Sequence, residues 1–517
     1  MDEARTAEIR AKAARVRELA REIETAVPAT ATSVDGRTFA YQAPVGASLV
    51  PAGGYVALES DGRRILGQVV TQELVVRDGP EIGVSLDEHD LEGSSGPLGV
   101  KTRMLLRVVE GEGTVLEPDA EPVVDALVMP ATPSEVRAYL ERSARGQAGL
   151  EIGALALVDE DVPAVLDASG FDRHTFLCGQ SGSGKTYSLG VVLERLLLET
   201  SLRVVILDPN SDFVRLPEVR PGADPDLARR FEAIEGIVVQ RVEPAVEDGR
   251  LRLHFAELED AARGGVLRLD PIADRDEFAE LQHLLESDRV AEALARFGLD
   301  EAASAGGSEA RALVQRIRNL GVDRWQVWAR GEAGSVLEQL DDGDWRVLVV
   351  DLGTLGSPRE REVVAQAVLA RLWERRGERR PVLVVVDEAH NVCPQLPEGA
   401  LQWLATDYAI RIAAEGRKFG LYLLVSSQRP QKVHENVLSQ CDNLLLMRMN
   451  STADLAHLTH VFSFVPASLL ARATGFHQGE ALVAGKLVPT PTFVRFGARI
   501  TEEGGSDVPA DWASPRS

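Results

Sequence analysis

Apolar residues follow three different patterns along the chain. Residues 1–28 carry them at every third or fourth position among many charged residues, which predicts an amphipathic helix that ends at Pro28. Residues 29–148 alternate apolar and polar positions in short segments separated by turn residues, and this pattern predicts a small β-barrel or β-sandwich. Residues 149–500 instead contain continuous apolar runs between helical stretches, which is typical of a parallel sheet covered on both faces.

The apolar runs of the third region locate the strands of the predicted parallel sheet. They are HTFLCG, RVVILD, WRVLVVD, PVLVVVDE, LYLLVSS and NLLLMRM. Between about residues 217 and 343 the pattern loosens into charged helical stretches, so we expect a mostly helical insertion there. Residues 501–517 are expected to form an extended or mobile tail. The sequence therefore predicts an α/β fold behind a smaller β-rich domain.

Composition and charge narrow the class of protein. A chain of 517 residues exceeds the size at which one hydrophobic core stops growing, so we expect at least two domains. A net charge of −24 argues against a general nucleic-acid-binding surface, although it leaves room for a narrow basic channel. The three cysteines, Cys178, Cys393 and Cys441, lack metal-site spacing and are expected to be buried thiols. Since no apolar run reaches the roughly 18 residues of a membrane span, we expect a cytoplasmic protein without a membrane partner.

One loop between an apolar strand and an amphipathic helix matches the phosphate-binding pattern GxxxxGK[ST]. Glycines let backbone N–H groups turn towards a phosphate, the lysine contributes positive charge, and the hydroxyl of the last residue is a ligand for Mg²⁺. We therefore expect ATP and Mg²⁺ as cofactors, with Thr186 in the metal site. The predicted nucleotide-binding residues are Gly179, Gln180, Ser181, Gly182, Ser183, Gly184, Lys185 and Thr186.

A pair of carboxylates ends the strand PVLVVVDE, as expected of a second nucleotide motif. We assign Asp387 to the Mg²⁺ site and Glu388 to the orientation and deprotonation of the attacking water. Gln428 ends a further strand, LYLLVSSQ, where it could contact the γ-phosphate. On the helix before that strand, Arg411 and Arg417 are candidates for contact with the γ-phosphate of a neighbouring subunit.

Together these segments resemble the HerA branch of the HerA/FtsK family of ring ATPases. The resemblance rests on GQSGSGKT at 179–186, VVVDEAH at 384–390, EGRKFGLYLLVSSQRP at 415–430 and GEALVAG at 479–485. It covers about residues 30–500 and is most specific in the ATPase core. It implies a RecA-like P-loop core after an N-terminal β-barrel, and a homo-oligomer, a hexamer, that threads duplex DNA through its central pore.

The resemblance also implies partners and further residues. A nuclease of the NurA type, or another effector, would dock on the barrel or on the leading helix of residues 1–28. In VVILDPNSDF, Asp208 would end a core strand and Asp212 would approach the metal. The family more often has an acidic or Gly-Glu pair at the position of Asn210-Ser211-Asp212, which weakens the last assignment.

Three functions remain open from the sequence. The first is an ATP-driven translocase on duplex DNA, in DNA end processing or antiviral defence, with pore cations among Arg359, Arg361, Arg429 and Lys432. The second is a ring-shaped scaffold that assembles an effector enzyme under the control of ATP. The third is a motor for protein or single-stranded DNA, which the absence of a membrane anchor in the sequence disfavours.

Overall fold

The computed structural model describes residues 28–45, 50–86, 98–144, 148–158, 161–243, 249–286, 308–329 and 334–505, together with separate positions between Ala7 and Glu22. Those separate positions are helical and exposed, whereas Ile9, Val16, Ile23 and Val27 of the predicted helix lie outside the described residues. The chain forms two compact units, one mainly from residues 1–143 and one mainly from residues 144–517. Within the described ranges no helix has both the length and the apolar character of a membrane span.

The first unit is built from six antiparallel strands. The hydrogen-bonded order β1-β2-β5-β4-β3-β6 closes on itself because β6 pairs with β1. Asp61 and Gly62, both with positive φ, join β3 to β4 as a two-residue turn. Apolar side chains such as Phe39, Leu58 and Val69 fill the interior. The strands are β1 (Thr30–Ser33), β2 (Thr38–Pro44), β3 (Tyr55–Ser60), β4 (Arg63–Leu86), β5 (Leu98–Val115) and β6 (Val123–Pro130).

The second unit contains an eleven-stranded sheet in the order β11-β12-β10-β13-β14-β9-β15-β16-β17-β7-β8. From β11 to β15 neighbouring strands are parallel, and the later pairs β15–β16, β16–β17 and β7–β8 are antiparallel. The strands are β7 (Gly149–Leu155), β8 (Pro163–Asp167), β9 (His174–Cys178), β10 (Arg203–Asp208), β11 (Ile237–Gln240), β12 (Val347–Asp351), β13 (Val382–Val386), β14 (Leu421–Ser427), β15 (Cys441–Met447), β16 (Glu480–Ala484) and β17 (Thr492–Phe496).

Helices connect the parallel strands, as continuous apolar runs predict. Every residue of β9, β12 and β13 is buried, so these strands are shielded from water on both faces. The α-helices are α1 (Pro133–Ser143), α2 (Lys185–Glu199), α3 (Pro225–Glu232), α4 (Asp260–Leu267), α5 (Arg275–Glu286), α6 (Ser308–Leu320), α7 (Val336–Asp342), α8 (Pro358–Glu374), α9 (Ala400–Glu415), α10 (Glu435–Leu438), α11 (Thr452–Val461) and α12 (Ala467–Ala471).

Two segments differ from the sequence-based expectation. The insertion between residues 217 and 343 contains helices α3 to α7, but it also contains β11, which extends the parallel sheet beside β12. The predicted tail does not begin at residue 501, because Thr501 is buried and the N–H groups of Glu502 and Gly504 donate hydrogen bonds to the carbonyls of Glu218 and Asp212. Residues 506–517 lie outside the described residues. The three cysteines are buried thiols, as predicted.

Candidate active site

The loop between β9 and α2 has a backbone that requires glycine at several positions. Gly182 and Gly184 have φ values of +72° and +92°, in the region that side chains disfavour. A Cβ atom on Gly179 would lie 2.7 Å from Cβ of Met447 and from Oγ of Ser183. Helix α2 begins at Lys185 directly after this loop, so its first N–H groups have no partner within the helix. A loop and helix start of this kind form an anion-binding site.

Lys185 lies at the centre of a buried charged cluster. Its Nζ atom is 2.7 Å from Oδ1 of Asp387 and 3.1 Å from Oε1 of Glu388, and it donates a hydrogen bond of 2.9 Å to Oγ of Ser426. Burial disfavours the charged amine, but the negative charges of the two carboxylates outweigh it and raise the pKa of Lys185. We call Lys185, Asp387 and Glu388 the phosphate-side cluster.

Glu388 is held in an unusual position by several partners. It follows β13 with a φ of +43°, which is rare for a residue with a side chain. Nε2 of Gln428 donates a 2.8 Å hydrogen bond to its Oε1, and Nδ1 of His390 lies 3.2 Å from its Oε2. Burial alone would raise the pKa of Glu388, but His390, Lys185 and Gln428 lower it to about 2. The glutamate is therefore an anion in this arrangement.

The loop after β10 brings a third carboxylate to the site. Asp208 accepts hydrogen bonds from the backbone N–H groups of Asp212, at 3.0 Å, and Phe213, at 2.8 Å, and so bends the loop. Burial raises the pKa of Asp208 to about 7 despite these bonds. The bend places Oδ2 of Asp212 3.4 Å from Oγ1 of Thr186. Burial and the charge of Asp387 raise the pKa of Asp212.

The oxygen atoms near Thr186 suit a hard divalent cation. Oδ2 of Asp387 is buried and has no hydrogen-bond partner among the described residues, and the hydroxyl of Thr186 and the carboxylate of Asp212 lie at the same edge of the sheet. Mg²⁺ prefers such oxygens and is usually held by few protein groups together with substrate phosphates. The described part of the chain has no group of three or more His, Cys, Asp or Glu residues able to hold a metal ion.

A cavity of about 770 Å³ opens at this edge of the sheet. The predicted residues that line it are Gln180, Ser181, Gly182, Gly184, Lys185, Thr186, Asp212 and Gln428. Gly179 and Ser183 support the loop, and Asp387 and Glu388 contact Lys185 and Gln428. Sequence reasoning missed the remaining lining residues, which are Tyr187, Gln478, Gly479, Phe496, Gly497, Ala498, Glu503 and Gly505. Only Gly479 lay in a segment that the family resemblance had marked.

Residues 496–505, which we call the C-terminal strap, pack around the first turns of α2. Arg499 is fully buried, and its Nε atom lies 3.3 Å from Oε1 of Glu194 in the same helix. The carboxylate of Glu194 accepts hydrogen bonds from the backbone N–H groups of Ile500, at 2.7 Å, and Thr501, at 2.8 Å. The N–H of Gly504 donates to the carbonyl of Asp212 at 2.9 Å. The strap therefore belongs to the walls of the site.

The two predicted arginines do not line the cavity of their own chain. Arg411 pairs with Asp407 at 2.6 Å and stacks over Tyr408. Arg417 pairs with Asp442 at 3.0 Å, near the amino ends of β14 and β15. Those strand ends lie at the edge of the sheet opposite to the cavity.

The four candidate pore cations have different surroundings. Arg359 donates to the carbonyl of Val266 at 2.8 Å and stacks over Trp325, so it supports the packing of the insertion. Arg361 donates a 3.4 Å hydrogen bond to the carbonyl of Leu355. Arg429 and Lys432 are exposed and follow the carboxyl end of β14. The last two therefore remain the better candidates for contact with DNA.

Comparisons with known proteins agree with this geometry. A family model described as "Helicase HerA, central domain" matches residues 150–286. The chain is 25% identical to the DNA double-strand break repair helicase HerA of Sulfurisphaera tokodaii, over 89% of this chain and 90% of that protein. It is also 25% identical to the protein of the same name from Pyrococcus furiosus, over 68% of this chain and 70% of that protein.

Two solved structures also match part of the chain, both with TM-scores below 0.5. VirB4 of Thermoanaerobacter pseudethanolicus has a TM-score of 0.44 at 18% identity, over 68% of this chain and 96% of that one. The bacterial conjugative coupling protein TrwB has a TM-score of 0.48 at 13% identity, over 73% of this chain and 94% of that one. The HerA protein of Sulfurisphaera tokodaii aligns with 89% of the chain, and the family model starts at Leu150 in the first strand of the second unit. The chain is therefore an ATPase that is similar to the HerA helicases over most of its length.

Proposed function

We propose that the protein is a homohexameric translocase that hydrolyses ATP to move along duplex DNA. The observation that carries this proposal is the phosphate-side cluster, in which one buried lysine contacts two carboxylates beside a phosphate-binding loop. The names of the HerA relatives, DNA double-strand break repair helicases, support DNA as the substrate. The proposed catalytic residues are Glu388 and Gln428, the loop from Gly179 to Thr186 binds the nucleotide, and Arg411 or Arg417 acts across the subunit boundary.

ATP binding begins with a competition for Lys185. The ammonium group is shared by Asp387 and Glu388, and a triphosphate in the loop brings further negative charge within its reach. Lys185 then contacts the phosphate oxygens, as lysines of phosphate-binding loops do. Mg²⁺, held by Thr186 and Asp387 with Asp212 beside them, would supply positive charge that stabilises the transferring phosphoryl group.

The same movement of Lys185 activates Glu388. The charge of Lys185 is one of the causes that lower the pKa of this glutamate, so its departure towards phosphate makes the carboxylate a stronger base. Gln428 and His390 keep the carboxylate oriented through their contacts with its two oxygens. Glu388 then accepts a proton from the water that attacks the γ-phosphate.

A chain of contacts links Glu388 to the proposed DNA-binding loop. Nδ1 of His390 is 3.1 Å from Oγ of Ser427, and the same oxygen accepts a 3.0 Å hydrogen bond from the N–H of Arg429. Arg429 and Lys432 provide exposed positive charge directly after β14. Movement of this loop against DNA phosphates would therefore change the position of the Glu388 carboxylate.

An effector, such as a nuclease, would dock on the β-barrel or the leading helix for DNA end processing or antiviral defence.

The test is steady-state ATP hydrolysis with and without duplex DNA, at low and at high salt. We expect duplex DNA to stimulate hydrolysis and added salt to abolish the stimulation, because phosphate contacts release counterions. Lys432→Ala should reduce the stimulation, whereas Arg275→Ala, which removes an exposed cation of the insertion, should leave it unchanged. If duplex DNA does not change the rate of ATP hydrolysis under any of these conditions, the result would contradict the proposed translocase. It would favour a scaffold that assembles an effector.

A further inference from the structure

The strand order separates two flanks of the cavity. On one flank, β14 and β13 supply Gln428 and the carboxylates of the phosphate-side cluster. On the other flank, beyond β9 and β15, β16 and β17 place Gln478 and Phe496 at the same edge of the sheet. The two flanks are therefore on opposite sides of the phosphate-binding loop.

A bound nucleotide is long enough to reach both flanks of the cavity, so its phosphates and its nucleoside must lie on different flanks. Lys185 and its carboxylates fix the terminal phosphates on the Gln428 flank. A nucleoside triphosphate extends beyond its phosphate chain, and the cavity has the volume of a complete small-molecule site. The ribose and base must then lie against the other flank.

The residues of that flank have the chemistry of nucleobase recognition. Phe496 and Tyr187 offer aromatic rings, on which a base can stack. The amide of Gln478 offers both a hydrogen-bond donor and an acceptor, which suits the edge of a base. Gly497 and Ala498 add small side chains that leave room for a planar ring.

We propose that Tyr187, Gln478 and Phe496–Ala498 form the subsite for the base and ribose of the nucleotide. The proposal rests on the ATP site of the proposed function and adds the part that distinguishes a nucleotide from a bare triphosphate. Phe496 stacks on the base, and Gln478 contacts its edge. Sequence motifs do not reach this subsite, because four of its five residues lie about 300 positions after the phosphate-binding loop.

Hydrogen bonds join the subsite to the phosphate-binding loop. The N–H of Gly479 donates to the carbonyl of Ser183 at 3.0 Å, and the N–H of Phe496 donates to the carbonyl of Gly479 at 2.9 Å. The hydroxyl of Tyr187 accepts a 2.8 Å hydrogen bond from the N–H of Arg499. The buried pair of Arg499 and Glu194 fixes the strap on α2, which also carries Lys185 and Thr186. These contacts fix the position of the base subsite relative to the phosphate-binding loop.

The test compares the binding of ATP with that of inorganic tripolyphosphate, both with Mg²⁺, by titration calorimetry. Phe496→Ala should weaken ATP binding about tenfold, the loss expected from one stacking contact, and leave tripolyphosphate binding unchanged. The matched control is Trp403→Ala, which truncates an aromatic side chain that is 58% exposed and lies outside the cavity. It should change neither affinity.

A second variant, Gln478→Ala, tests the subsite even if Phe496→Ala does not fold. Gln478 is exposed, so Gln478→Ala should fold normally and lower the preference for ATP over tripolyphosphate about threefold. The proposed subsite would be overturned if both folded variants kept the wild-type preference for ATP over tripolyphosphate. If Phe496→Ala does not fold, the same result in Gln478→Ala alone would overturn it. Lys185→Ala separates the two proposals, because it should lose both ligands. Retained ATP binding in Lys185→Ala would instead contradict the proposed ATP site itself.

Discussion

The second unit buries two groups of charges that differ in how completely they are satisfied. In the pair of Glu194 and Arg499, the carboxylate accepts hydrogen bonds from the guanidinium group, two backbone N–H groups and the hydroxyl of Thr501. In the phosphate-side cluster, one ammonium group serves two carboxylates, and Oδ2 of Asp387 has no hydrogen-bond partner among the described residues. In the pair of Glu194 and Arg499, one positive charge balances one negative charge. In the phosphate-side cluster, one positive charge faces two negative charges.

The difference shows how one fold separates stability from chemistry. Removing charges from water costs free energy, and a complete set of hydrogen bonds repays much of it. The pair of Glu194 and Arg499 can therefore hold the strap in place. The phosphate-side cluster keeps unused binding capacity for a cation and for phosphate, at some cost in stability, as sites of function often do. Variants in the first should change unfolding, and variants in the second should change catalysis.

The largest expected effect concerns Glu388→Gln. This substitution keeps the shape and the contact with Gln428 but removes the base, so we expect the turnover of ATP to fall by a factor of about 10² to 10⁴. Nucleotide binding and the thermal midpoint of unfolding should stay close to wild type. Steady-state hydrolysis and calorimetric binding measure the two properties separately. Turnover near the wild-type rate would remove Glu388 from the mechanism.

The next effect concerns the pair that holds the strap. Arg499→Met leaves the charge of Glu194 buried without its partner, so we expect the free energy of unfolding of the second unit to fall by about 3–5 kcal/mol. The double variant Glu194→Leu/Arg499→Met should be more stable than Arg499→Met, because it leaves no buried charge. Arg495→Met, on the exposed side of β17, is the control and should behave like wild type.

Thermal and denaturant unfolding of these variants, followed by a probe in the second unit, give the comparison. A double variant that is less stable than Arg499→Met would show that the pair contributes through its attraction rather than through the cost of burying one charge. Equal stability of Arg499→Met and wild type would contradict the anchoring role of Arg499.

The smallest expected effect concerns the stability that depends on His174, a buried side chain that is neutral and is not paired with an opposite charge in the described part of the chain. His174 is fully buried, its Nδ1 accepts a 2.9 Å hydrogen bond from the N–H of Leu423, and burial together with the charge of Arg417 lowers its pKa to about 4. The unfolded histidine takes up a proton near pH 6.5, so the unfolded state binds more protons between about pH 6.5 and 4. Stability is therefore complete above this window and falls on acidification, by up to about 3 kcal/mol.

The pH dependence of unfolding checks this sign. His174→Gln should be less sensitive to acidification across that window than wild type, while His477→Gln, an exposed histidine, should follow the wild-type curve. An unchanged slope in His174→Gln would mean that the ring does not resist protonation in the folded protein.

The sequence predicted those parts of the site whose residues are close together in the chain. The phosphate-binding loop and the two carboxylates after β13 follow apolar strands directly, so local pattern was enough. The parallel strands were predicted for the same reason, since runs such as those of β12 and β13 are fully buried. The approach of Asp212 to Thr186 depends on the bend that Asp208 imposes, which no local pattern shows.

Long-range packing explains what the sequence did not predict. Glu194 and Arg499 are 305 positions apart, and neither has a neighbour in the sequence that marks it as part of a buried pair. Strand β11 has only four partly or fully buried residues within a charged insertion, so its place beside β12 is set by the sheet. Only residues 501–505 of the strap were predicted as part of a tail, whereas residues 496–500 were placed in the ATPase core.

The position of the strap in the chain has a consequence for protein synthesis. Ile500, which binds Glu194, leaves the ribosome 306 residues after it, an interval on the order of tens of seconds at ordinary elongation rates. The phosphate-binding loop therefore exists for that time without the wall that faces the nucleoside. A product released before residue 496 would carry the phosphate-side cluster without Phe496, Gly497 and Ala498, so it could not distinguish ATP from other polyphosphates.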